Sequence, residues 1–219
     1  MGERRAETKR GAVFLRIRAL LAGALVLGLG SSLTLASWTD NEFASGSFGA
    51  SVFQTESNVT NPYDALGTWS ANDASPGAVL AFNAAGMSPG TVVYAPFAIR
   101  TTAASVGGEV VLGVPVVSSS GTGVADLGAA LRYRVVRSAT CDASAFTGSP
   151  AFVVGSDGVK PFSVGQDAGV VNPLQAATAT LPGAPTQFCF EVSLPLGANN
   201  ALQGQTATAT WQFTASSSS

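Results

Sequence analysis

Two thiols, Cys141 and Cys189, are set in a sequence of 219 residues that contains no histidine. Without an imidazole there is no Ser-His-Asp triad, no Cys-His nucleophile and no HExxH zinc motif. A structural zinc centre wants four nitrogen or sulfur ligands and a catalytic one three, more than two cysteines supply. Pairs of carboxylates can serve a glycosidase. Here, however, Asp40, Glu42, Asp64, Asp73, Asp126, Asp142, Asp157 and Asp167 are scattered along the chain, mostly beside Gly, Ser, Asn or Ala, as solvated turn residues are. Asp157-Gly158 has the chemistry of a hairpin turn, glycine accepting the positive φ that such turns demand. No stretch has the Asp-rich spacing of a calcium loop, although a calcium site among the loops stays open. Gly121-Thr122-Gly123 lacks the third glycine and the helix-opening context of a dinucleotide site. These residues predict no catalytic site, no cofactor, no metal and no enzyme. What the two cysteines can do is pair. In an exported chain an oxidising compartment favours a disulfide, and closing a loop of about 48 residues removes on the order of 4 kcal/mol of unfolded-chain entropy in the simple model.

The elements that must position the pair read as β structure. Phe188, Phe190, Val192 and Leu194 alternate with Cys189, Glu191 and Ser193, and Ala207, Ala209, Trp211 and Phe213 alternate with Thr206, Thr208, Thr210 and Gln212. Leu131, Tyr133 and Val135 alternate with Arg132 and Arg134 in the same way. Period two predicts one buried and one wet face. Cys189 falls on the wet face, which puts the disulfide at the periphery of the sheet or on a loop around Cys141. Further strands are expected at 91–102, 109–117, 151–154 and 176–181, between Gly, Pro, Asn and Ser clusters. Pro96 argues for an edge strand or a bulge in the first of these. Helix candidates past the N-terminus are short, at 125–130 and 199–202. The sum is an all-β, jelly-roll-like sandwich over residues 55–219.

The N-terminus is of another kind. Arg4, Arg5, Lys9, Arg10, Arg16 and Arg18 precede an uncharged apolar run from Ala19 to Ala36, the layout of a secretory signal helix. Thr34 and Ala36 are small, as a peptidase site requires, so cleavage is expected between Ala36 and Ser37, leaving residues 1–36 as the signal. The competing reading is an uncleaved anchor, since such a run is near the lower limit of about 17 residues for spanning a bilayer. Gly23, Gly28 and Gly30 weaken that reading. After cleavage five basic and eleven acidic residues remain, a net charge of −6. Little basic character is then left to neutralise phosphates or lipid headgroups, so neither nucleic-acid binding nor stable membrane association is expected.

Residues 37–54 would form the new N-terminus. Trp38, Phe43, Phe48 and Phe53 are spaced along it and separated by small residues, including Gly46 and Gly49. One reading makes them the first strand of the sandwich. The other makes them anchors of an untethered segment that adds to the sheet of a neighbour, with a bulge near Gly46 or Gly49 bringing the three phenylalanines to one face. Around these residues the chain resembles a known group. The basic start, the apolar run and Thr34-Leu35-Ala36-Ser37-Trp38-Thr39-Asp40, followed by Phe43-Ala44-Ser45-Gly46-Ser47-Phe48, are similar to the signal and mature N-terminus of proteins processed by the SipW-type signal peptidase. Those belong to the TasA/camelysin group of biofilm-matrix proteins. The stretch from Phe188 to Ala215 resembles its actinobacterial branch.

The resemblance implies a SipW-dependent, jelly-roll subunit at the cell surface or in the extracellular matrix. Its partners would be itself, as a homopolymer, or related fibre subunits, joined by donor-strand exchange in which Trp38, Phe43, Phe48 and Phe53 are the anchors. The metallopeptidase activity described for some camelysins does not carry over, because this chain has no histidine to hold zinc. Two other functions fit the same residues: a monomeric surface adhesin or binding module, and an accessory or anchoring subunit of a fibre.

Overall fold

A computed structural model describes residues 4–32, 42, 44–45, 50–60, 67–74, 77–80, 82 and 86–218. The cleavage pair Ala36 and Ser37 and the aromatic residues Trp38, Phe43 and Phe48 lie outside them. The chain forms two compact units, Met1–Phe48 and Gly49–Ser219. The first contains helix α1 (Arg4–Ser32). Its described side chains, residues 13–27, are exposed, Leu20 and Leu25 included. No described helix is long and apolar enough to cross a membrane.

The second unit is mostly β, with antiparallel sheets. Its strands are β1 (Thr55–Asn58), β2 (Val92–Thr101), β3 (Gly108–Leu112), β4 (Val116–Ser119), β5 (Arg132–Arg137), β6 (Ala151–Val154), β7 (Lys160–Pro161), β8 (Pro173–Leu174), β9 (Thr186–Ser193), β10 (Ala207–Thr210) and β11 (Phe213–Ser217). One short helix, α2 (Leu127–Ala130), is capped by the Asp126 carboxylate, which accepts from Ala129 N–H. The larger sheet runs β1-β2-β9-β5-β6, with β7 also on β5. The smaller layer is a long ribbon in which β3 and β4 pair with β11 and β10, and β8 flanks β3. Pro115 interrupts the ribbon between β3 and β4, because proline offers no ladder donor. Gly113 N–H donating to Gln212 O at 2.9 Å carries the pairing across the break.

Inward side chains of both layers meet in one core. Phe97, Phe188, Phe190, Tyr133 and Val135 come from the larger sheet and Val110 and Leu112 from the smaller, all buried. Phe213 stacks on Phe97 at 4.3 Å, and Trp211 meets Phe190 edge-on at 5.0 Å. Such ring pairs add about 0.5–1.5 kcal/mol each beyond their buried area.

Several expectations change. Pro96 sits in an interior strand, opposite Cys189. It is tolerated because β1 pairs only with 98–101 and stops short of it. Residues 176–181 form a turn, closed by Thr178 N–H on Leu181 O, and the strand there is only β8. Asp157-Gly158 does form a turn, but β6 and β7 on either side both pair with β5, not with each other. The face of β9 expected to be wet is covered. The Cys141–Cys189 disulfide pins the 138–150 connection across it, with Cys189 and Glu191 buried. Beneath that cover Arg134 makes two 2.8 Å hydrogen bonds to the Glu191 carboxylate. Phe146 packs on Tyr94 at 5.8 Å. Cys189 thus lies on a central strand, with the Cys141 loop brought to it.

Candidate strand-acceptor site

The two edges of the smaller layer differ. In an antiparallel ladder, residues whose N–H and C=O point to one neighbour alternate with residues whose groups point to the other side. Gly113 N–H to Gln212 O and Ser218 N–H to Gly107 O fix the phase of β11: even-numbered residues face β3. Ser120 N–H to Thr206 O sets the same phase for β10. The backbone groups of Ala207, Ala209, Phe213 and Ala215 therefore point away from the ribbon, and among the described residues none has a hydrogen-bond partner there.

The same odd residues carry the apolar side chains. Ala207, Ala209, Trp211, Phe213 and Ala215 pack against the core yet remain half-buried. Edges are normally blunted by charge, proline or bulges; residues 205–218 contain no charged residue and no proline. Among the described residues, this edge couples ladder groups without a partner to a partly covered apolar row.

The opposite edge, along β3, is closed by the chain itself. Val110 N–H donates to Asn172 O at 2.9 Å, and Asn172 Nδ2 returns a bond to Val110 O at 3.1 Å. Leu112 N–H donates to Gln166 Oε1 and Gln166 N–H to Leu112 O, both at 3.1 Å. Asp167 then ties this segment to the larger sheet. Its N–H donates to Val153 O at 2.8 Å, and its carboxylate accepts from Gly155 and Ser156 N–H. Partial burial would raise the Asp167 carboxyl, but those N–H groups hold it below the usual carboxylate range. The Tyr133 hydroxyl donates to Val164 O in the same segment, and burial pushes that phenol up to about 12.

Of the expected anchors only Phe53 is described, and it belongs to its own subunit. It is half-buried against the core, its ring 3.0 Å from where a Cβ on Gly108 would stand. Val52 O accepts from Val106 N–H at 2.9 Å, and Gln54 O from Thr102 N–H at 3.0 Å. Residues 52–54 are thus fastened between β2 and β3. Parity along 207–213 was the available sequence signal for this edge, but it could not tell which side of the strand meets β3 and β4.

The described carboxylates do not converge. Among the described residues no three His, Cys, Asp or Glu side chains gather as a metal site would need. A basin of about 380 Å³ includes Asp126 and Arg132 in its lining. Asp126 caps α2, and the Arg132 guanidinium donates to the carbonyls of Ala129, Ala130 and Leu131, so both are engaged by local backbone. No protein-family model matches the chain, and no curated protein does.

Proposed function

We propose that the protein is a secreted structural subunit of a cell-surface or biofilm-matrix fibre, of the TasA/camelysin type and with a jelly-roll topology. Residues 37–48 of one copy add as a strand to the β10–β11 edge of the next. The observation that carries this reading is the row of outward-pointing backbone groups at Ala207, Ala209, Phe213 and Ala215, coupled to half-buried apolar side chains on the same residues. An added strand gains a hydrogen-bond ladder and lays alternate side chains against that row, which fixes register. Because each subunit gives one segment and receives another at a different place, the contact is head-to-tail and extends without closing. Phe53, fastened in its own core, marks where the donated segment is tethered. Export is supported by the basic-then-apolar helix α1 and by the disulfide, which persists in oxidising compartments.

The test is electron microscopy of the processed protein beginning at Ser37, beside a form lacking residues 37–48. Fibres from the first and a folded, disulfide-bonded monomer from the second are the expected outcome. Fibres from both would overturn the donor role of the N-terminus.

A further inference from the structure

We infer that the basin lined by parts of 123–132 and 195–202 binds a free α-amino acid with an aliphatic side chain, its ammonium on the Asp126 carboxylate and its carboxylate on the Arg132 guanidinium. The basin has a volume of about 380 Å³, inside the range of about 300–1,000 Å³ usual for small-ligand sites. Opposite charges line it without bridging. Arg100 pairs with Glu56, Arg134 with Glu191 and Lys160 with Asp157, but no ion pair joins Asp126 to Arg132. Helix α2 holds them apart. Asp126 caps its first turn, while Arg132 Nη1 donates to the carbonyls of Ala129, Ala130 and Leu131 around its last, at 2.8 to 3.0 Å. Four helical residues at about 1.5 Å of rise place about 6 Å between the two anchoring points. In an α-amino acid the ammonium nitrogen stands about 2.5 Å from the carboxylate carbon. A charge-assisted hydrogen bond of about 2.8 Å at either end lets one such molecule reach both groups.

The hydrogen-bonding groups left over match the two ends of that ligand. The Ser119 hydroxyl and Ala129 N–H hold the Asp126 carboxyl below the usual carboxylate range, so it is charged at neutral pH, and a carboxylate has acceptor sites beyond those two. Arg132 Nε–H and Nη2–H have no acceptor among the described residues, and together they form the flat two-donor edge that a carboxylate takes in bidentate fashion. Asn199 Oδ1 accepts from Ala201 N–H at 2.8 Å, which leaves Nδ2 as a further donor in the lining. The remaining lining is aliphatic or glycine, including the 73% exposed Val124, Pro195 and Leu202. It suits an aliphatic side chain and holds no aromatic ring on which a sugar would stack.

Saturation-transfer NMR with L-leucine as the probe tests the site on the protein beginning at Ser37, and it reads monomer and fibre alike. Leucine should give a signal that saturates. N-acetyl-L-leucine, which lacks the ammonium, and L-leucinamide, which lacks the carboxylate, should each bind at least about tenfold more weakly at the same salt, because each leaves one charged partner unmet. Asp126→Asn keeps a helix cap of equal quality and so retains the fold. It should weaken leucine at least about tenfold without weakening N-acetyl-L-leucine. The absence of a saturable leucine signal overturns the inference. So does either blocked analogue binding as tightly as leucine, or an Asp126→Asn protein that binds leucine as the wild type does.

Discussion

The two long edges of the smaller layer belong to one ribbon but end differently. Along β3, Asn172 and Gln166 use both main chain and side-chain amides to imitate a missing strand, and Asp167 and Tyr133 fasten the imitation to the larger sheet. Along β10–β11 the Phe82 ring lies 6.3 Å from that of Trp211, yet among the described residues no backbone group pairs with the outward side of that edge. A sheet can therefore be closed in two separable senses. Apolar cover and ladder satisfaction are distinct requirements, and among the described residues only the sealed edge meets both.

The sharpest way to break this comparison is a pair of neighbouring prolines. Thr214→Pro removes a donor that faces β3 and should cost at least about 2 kcal/mol in urea unfolding, since a ladder bond is lost and Val111 is left short of a partner. Ala215→Pro removes a donor that faces outward and should leave the monomer within about 1 kcal/mol of wild type, because edge positions tolerate proline. It should nonetheless abolish fibres. Equal destabilisation by the two would mean that the phase assigned to β11 is wrong.

On the sealed edge, Asn172→Leu takes away the donor to Val110 O and Gln166 Oε1 and should cost about 1–3 kcal/mol. The same substitution should leave assembly intact in conditions where the monomer is folded.

Two pH effects follow from the same segment. Tyr133 has a folded pKa raised to about 12 by burial, so the stability it contributes is complete below the ordinary tyrosine value of about 10 and is lost as pH rises towards 12. An alkaline melt series should show that loss, and Tyr133→Phe should remove it. Asp167 titrates in the opposite sense. Its folded pKa is depressed, so its contribution is present above the unfolded value of about 3.9 and is lost as pH falls further. Asp167→Asn should narrow the gap between the melting temperatures at neutral pH and at about pH 3, the smallest of these effects.

Much of the sealed half was beyond the reach of sequence pattern. The strands β2, β5, β6 and β9 follow from alternation or short apolar runs with turn residues around them, and the disulfide from two cysteines in a chain expected to be exported. Strand β1, Thr-Glu-Ser-Asn, has no apolar period, because its place is set by pairing with 98–101 and by Ser70 on its other side. Asn172 and Gln166 carry no local signal that their amides stand opposite β3. Conversely, 176–181 alternates like a strand but folds as a turn. Cys189 and Glu191 read as solvent-facing because the alternation of β9 is real, and only the 138–150 cover, brought from elsewhere in the chain, makes that face dry. The row 207–213 was legible as an amphipathic strand; which of its sides meets β3 and β4 was not, because that depends on strands distant in sequence.

For the proposed fibre, the lack of charge along 205–218 has a practical consequence for growth in changing waters. The acceptor strands would bring no charge of their own to meet Asp40 and Glu42 of the donated segment, so a finished joint would hold no ion pair between donor and acceptor strand for counterions to screen and should depend little on salt. Ionic strength would act only on the approach of two bodies that each carry net negative charge, slowing encounter in fresh water and easing it in brine. Drying, wetting and shifts in salinity would then alter how quickly such a filament lengthens without loosening what has already been built.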